Sequence, residues 1–239
     1  IYQSSHQIMF VNYMPFLCLT FLGIDRYFEK KQSGLLIGGT FLMIMTSFYF
    51  SIGGILALGL YGIYRYARTK ERAEETVTVK GFMGDGIQFA GRILTAIMLA
   101  GVLLVPTAMA LLGRSRSRGE KVNFLQLLIP QINLKKFLYG AYGPGLSCLV
   151  LIILLTGLFY KKAYEKILSL GCLVVLTVPF FSYLLNGALY IRPKSLIPFL
   201  PLLCYLTAKY LEKLKNMVSA DGSATLLHPI LFNLQELVE

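Results

Sequence analysis

The sequence predicts an all-α, polytopic integral membrane protein with about six to seven transmembrane helices, including a short helical hairpin. Three observations lead there. Hydrophobic residues make up 56% of the 239 positions and charged residues only 15%, and the mean hydropathy is +0.63. A soluble chain of this length cannot hide so much apolar surface. The apolar residues also fall into runs close to the roughly 17–25 residues that cross a hydrocarbon core about 30 Å thick. Finally, Lys and Arg concentrate between the runs, where the orienting charges of a membrane chain sit.

The first span (7–24) runs from Gln7 to Ile24 and stops at Asp25-Arg26, ahead of Lys30-Lys31. Residues 35–64 follow, thirty positions without a formal charge. As one helix they would be roughly 45 Å long, too long to stand upright in a bilayer. Basic residues flank both ends, Lys30-Lys31 before and Arg65/Arg68 after. A hairpin broken near Ser47–Ser51 or Gly53-Gly54 would bring those ends to one side, and a single tilted span is the alternative. Residues 65–87 read as a helix extension and a juxtamembrane connector. The span at 88–112 contains Pro106, which membrane helices tolerate. A polar connector at 113–143 precedes spans at 144–160, 167–185 and 195–211. Residues 1–211 thus form a transmembrane helical domain. Residues 212–239 form a cytoplasmic tail or the start of a further segment, with an amphipathic stretch at Leu226–Leu237.

Counting Lys and Arg by side sets the orientation. The connectors 25–33, 65–87, 161–166 and 209–215 carry fourteen, and 113–143 and 184–194 carry eight. The first set is therefore cytoplasmic. The net charge of +11 belongs to these connectors, and no soluble basic domain exists to hold nucleic acid. Of twelve Asp and Glu, only Glu120 falls on the outer side. No span carries an internal charge pair, which argues against a proton-coupled pump.

The outer basic residues are the candidate chemistry. Arg114, Arg116 and Arg118 alternate with serines just after a span, and Arg192 and Lys194 emerge beside another. Guanidinium forks and ammonium groups at headgroup depth suit a substrate phosphate. Asn186 and Tyr190 are the accompanying polar contacts. His6 and His228 lack metal-ligand spacing, the four cysteines lack CxxC spacing, and no metal or cofactor is expected. The chain begins at Ile1 without Met or a signal peptide, and is read as a fragment of a longer protein.

Several blocks resemble the bacterial YfhO membrane protein family. They are Phe10–Leu17, Gly23–Tyr27, Met45–Ser51, Leu60–Tyr66, Leu103–Thr107 and the most specific, Leu185–Lys194 with Leu196–Pro201. The resemblance implies a multi-pass protein of the bacterial cell membrane and a glycosyltransferase of the GT-C type. Such enzymes take a sugar from a polyprenyl-phosphate donor and work on the outer face. The family is associated with glycosylating anionic envelope polymers such as lipoteichoic acid. It also implies an acidic catalytic residue in a first outer loop, and no position here matches it, so the catalytic residue is unknown. A transporter or flippase for a lipid-linked anion is the alternative, as is a non-catalytic scaffold for envelope synthesis.

Overall fold

A computed structural model describes residues 11–76, 78–112, 124–131, 147–160, 162–187, 191 and 193–220, and these are all-helical. Helix α1 spans Met14–Lys30 and α2 spans Gly34–Thr46. Between them Lys31 adopts a left-handed conformation, φ 57°, and its N–H reaches back to Tyr27 O. This closes α1 and turns the chain sharply. The two helices then run antiparallel at very short separation. A Cβ on Gly23 would lie 2.6 Å from Leu36 N, and one on Gly39 would lie 2.6 Å from Thr20 Oγ1. Small residues permit such backbone contact between helices in lipid. The buried hydroxyls of Thr20 and Thr40 each donate to their own helix, at 2.7 Å to Phe16 O and Leu36 O.

Residues 35–64 are divided at Ser47, whose backbone is extended (φ −152°, ψ 98°). Helix α3, Phe48–Arg72, starts immediately after it. Tyr13 stacks on Phe50 near the start of both α1 and α3, while Arg65 meets Asp25 and Glu29 near their ends. Helices α1 and α3 are therefore parallel, with α2 returning between them. This geometry gives the bundle two poles. One, rich in charge, gathers the C-terminal ends of α1 and α3, and the other holds Tyr13, Tyr49 and Phe50.

Helix α4, Val79–Leu99, begins well before the expected span at 88 and runs back along α2. It bends by 71° into α5, Gly101–Leu112. The bend falls at Ala100-Gly101 rather than at Pro106, which α5 contains. Beyond α6, Phe124–Leu128, the short apolar helix α7 covers Cys148–Thr156 and ends in a 3-10 turn, Gly157–Phe159. Helix α8, Ala163–Thr177, bends by 74° into α9, Pro179–Leu185. A residue before proline is pushed out of the helical region, and Val178 accordingly sits at φ −87°, ψ 113°. A 3-10 segment, Pro193–Phe199, leads into α10, Leu200–Ala220, which continues past the expected span end at 211.

The core is one apolar cluster drawn mainly from α1, α2, α3, α7, α8, α10 and the 3-10 segment, with Leu17, Ile24, Leu58, Leu168 and Phe199 all at 0% exposure. Among the described residues no single helix is long and apolar enough to cross a membrane. Two bent pairs have the length and composition together: Val79–Leu99 with Gly101–Ala110, and Ala163–Thr177 with Pro179–Leu185. Large apolar side chains line the outside, including Ile87, Met98, Val102 and Met109. An apolar exterior of this kind faces lipid or a partner.

Candidate functional site

Of the residues singled out from sequence, Arg114, Arg116, Arg118, Tyr190 and Arg192 lie outside the described residues. Asn186 and Lys194 are described, and both contact Tyr49 at the pole opposite the charge-rich one. Asn186 follows the last turn of α9 and is 4% exposed. Its Nδ2 donates to Ser182 O at 2.5 Å and to Ser195 Oγ at 3.2 Å. Its Oδ1 accepts a short hydrogen bond from the Tyr49 hydroxyl. One amide thus ties α9, the 3-10 segment and the first turn of α3 together. Lys194 Nζ lies 4.9 Å from the centroid of the Tyr49 ring, within range of a cation–π contact.

The tight seat of the 3-10 segment comes from Gly53. A Cβ there would stand 2.9 Å from Pro198 Cγ and 3.0 Å from Ser195 O. Gly187, at φ 71°, makes the turn after Asn186 in a conformation that glycine adopts readily. Tyr49 was not legible as a site residue, because a tyrosine inside a thirty-residue uncharged run reads as core. Its position two residues after the Ser47 break is the signal that could have found it.

At the charge-rich pole, just outside the apolar runs, charges pair between helices. Arg65 is 6% exposed in its side chain, with Nε 2.8 Å from Asp25 Oδ1 and Nη2 2.6 Å from Glu29 Oε1. The Nε contact is ionic and not aligned as a hydrogen bond, whereas Tyr61 donates to the same Asp25 oxygen at 2.8 Å. Glu165, 7% exposed, receives Lys209 at 2.7 Å and Lys213 at 3.1 Å. Lys209 also donates to Tyr64 Oη at 3.0 Å. Burial raises the proton affinity of Glu165, but Lys209 and Lys213 outweigh it and hold the carboxyl below its usual range. These residues stand in connectors by sequence. The helices extend past the apolar runs, so charges at the run ends turn inward. Among the described residues no group of three or more His, Cys, Asp or Glu could hold a metal ion.

Broken apolar helices, glycine-mediated helix contacts and a lipid-suited exterior define a helical membrane protein. The family model described as Bacterial membrane protein YfhO matches residues 1–190, and the chain belongs to that family of bacterial membrane proteins. Lys194 lies just beyond the matched residues. No curated protein and no solved structure matches the chain.

Proposed function

We propose that this chain is part of a membrane glycosyltransferase of the GT-C type. It would transfer a sugar from a polyprenyl-phosphate donor to a cell-envelope acceptor, such as lipoteichoic acid, on the outer face. The observation that carries the reading is the separation of charge between the poles. The described carboxylates belong to the charge-rich pole: Asp25, Glu29, Asp85 and Glu165 on its helices, and Glu71, Glu74, Glu75 and Glu212 near helix ends. An anion reaching Lys194 at the other pole is not repelled by any of them.

In this reading Lys194, with Arg114, Arg116, Arg118 and Arg192, neutralises the donor phosphate. Asn186 holds the 3-10 segment that carries Lys194, and Tyr190 adds a polar contact. The acceptor hydroxyl oxygen attacks the anomeric carbon, and the carbon–oxygen bond to phosphate breaks with inversion. The polyprenyl phosphate leaves with that electron pair, and a base takes the hydroxyl proton. Cations on the phosphate stabilise the charge that develops on the leaving group. In the full-length protein, Arg192→Ala and Lys194→Ala should each lower sugar transfer at least tenfold, with membrane insertion intact. Full transfer by both variants would overturn the assignment.

A further inference from the structure

We infer that Arg68 and Lys209, which converge on the Tyr64 hydroxyl, bind a phosphate group at the charge-rich pole. The headgroup of an anionic phospholipid and free phosphate are two sources of that one chemistry. The inference rests on this cluster and not on the sugar-transfer reading. Arg68 stands one turn before the end of α3, and Lys209 stands on α10. Arg68 Nη1 donates to Tyr64 Oη at 3.4 Å, and Lys209 Nζ donates to it at 3.0 Å. The Tyr205 hydroxyl lies 3.2 Å from the same oxygen.

Two observations mark the cluster as a site rather than a solvated edge. The first is a surplus of charge. The two clamps balance each other, since Arg65 faces two acids and Glu165 faces two lysines. Arg68 adds a positive charge that neither clamp answers. Of the other basic residues at this pole that are not exposed, Arg65, Lys70 and Lys209 each meet a carboxylate. Among the described residues Arg68 meets none. The second observation is that donors are held in place and left over. Tyr64 is fully buried, and its oxygen offers two lone pairs, which Arg68 and Lys209 take. A guanidinium carries five N–H donors in a fixed fork, and one long bond to Tyr64 uses only one of them. Lys209 lies over the rings of Tyr64 and Tyr164, 5.1 and 5.4 Å from their centroids. A preplaced fork beside an ammonium group suits phosphate oxygens.

The surroundings agree with an anion of this size. The hollow between Tyr64, Glu165 and Lys209 measures about 10 Å³, room for one water. The phosphate therefore sits at the surface, where Lys209 is 23% exposed and Arg68 is half-buried. The nearby acids are engaged, Glu71 with Lys162 at 3.5 Å and Glu165 in its clamp. Lys213 takes the second oxygen of Glu165 and lies 4.0 Å from the Tyr160 ring centroid, so it belongs to the clamp. In a protein of a membrane family, basic sites between helices just beyond the apolar runs lie at headgroup depth and take anionic headgroups.

The test uses the delipidated full-length protein in detergent and two probes. Native mass spectrometry compares retention of phosphatidylglycerol with that of phosphatidylcholine, and thermal unfolding compares inorganic phosphate with chloride at equal ionic strength. Preferential retention of phosphatidylglycerol identifies a headgroup as the source, and stabilisation by phosphate identifies the free ion. Arg68→Gln should weaken whichever response the wild type gives at least tenfold, while leaving the ligand-free protein equally stable. Should Arg68→Gln fail to fold, Lys209→Gln, which keeps the Lys213–Glu165 pair, decides the matter. A wild type that answers neither probe would overturn the inference. So would a folded Arg68→Gln variant whose response is unchanged.

Discussion

At the charge-rich pole, Arg65 and Glu165 are each buried against two opposite charges contributed by other helices. At the other pole, Asn186 bonds three groups through a neutral amide, and Lys194 lies over an aromatic ring. The first arrangement balances charge inside the bundle and clamps α1 to α3 and α8 to α10. The second sets Lys194 over the Tyr49 ring and holds a turn in place. Buried ion pairs return little net stability but make removal of one partner costly. A lysine over a tyrosine face can be given up cheaply.

Breaking the clamp should have the largest effect. Arg65→Leu leaves Asp25 and Glu29 without their cation, and about 2–4 kcal/mol of stability should be lost, at the lower end for a buried pair because both acids are partly exposed and can rehydrate. Unfolding in detergent micelles would measure it, and a loss below 1 kcal/mol would deny the clamp. Next comes Asn186→Ala, which removes the amide's bonds to Tyr49, Ser182 and Ser195 and should cost about 1–3 kcal/mol. Its effect should appear as faster hydrogen exchange across 182–199 before any change in the α1–α2 pair.

The smallest effect is a pH dependence. Glu165 holds its proton less readily in the folded protein than an ordinary carboxyl does. Its contribution is complete above the unfolded pKa of about 4.3 and is lost as pH falls through the lower folded value. Glu165→Gln should therefore flatten the acid limb of the stability curve and leave the neutral limb's slope unchanged. An acid limb as steep as the wild type's would remove Glu165 from the clamp.

Much of the helical character was legible in the sequence, because the apolar runs are too long for strands and are punctuated by charge. The bends were less so. Val178-Pro179 carries the signal for one, since proline disfavours a helical residue before it, whereas Ala100-Gly101 carries only a weak one. Asn186 and Lys194 stood out as a polar turn between apolar runs. The inward turn of Arg65 and Glu165 did not, because counting charge by connector ignores the face of the helix on which each residue lies. Tyr49 was hidden because a tyrosine inside an uncharged run reads as core, and its role is set by a partner 137 positions away.

The contrast between the poles is tested most directly by binding of a labelled polyprenyl phosphate to the full-length protein and two variants. Lys194→Ala and Lys213→Ala each remove one ammonium group, the first from the ring of Tyr49 and the second from the Glu165 clamp. The account predicts binding weakened at least fivefold by Lys194→Ala and unchanged by Lys213→Ala. Equal binding by both variants, or a loss confined to Lys213→Ala, would contradict it.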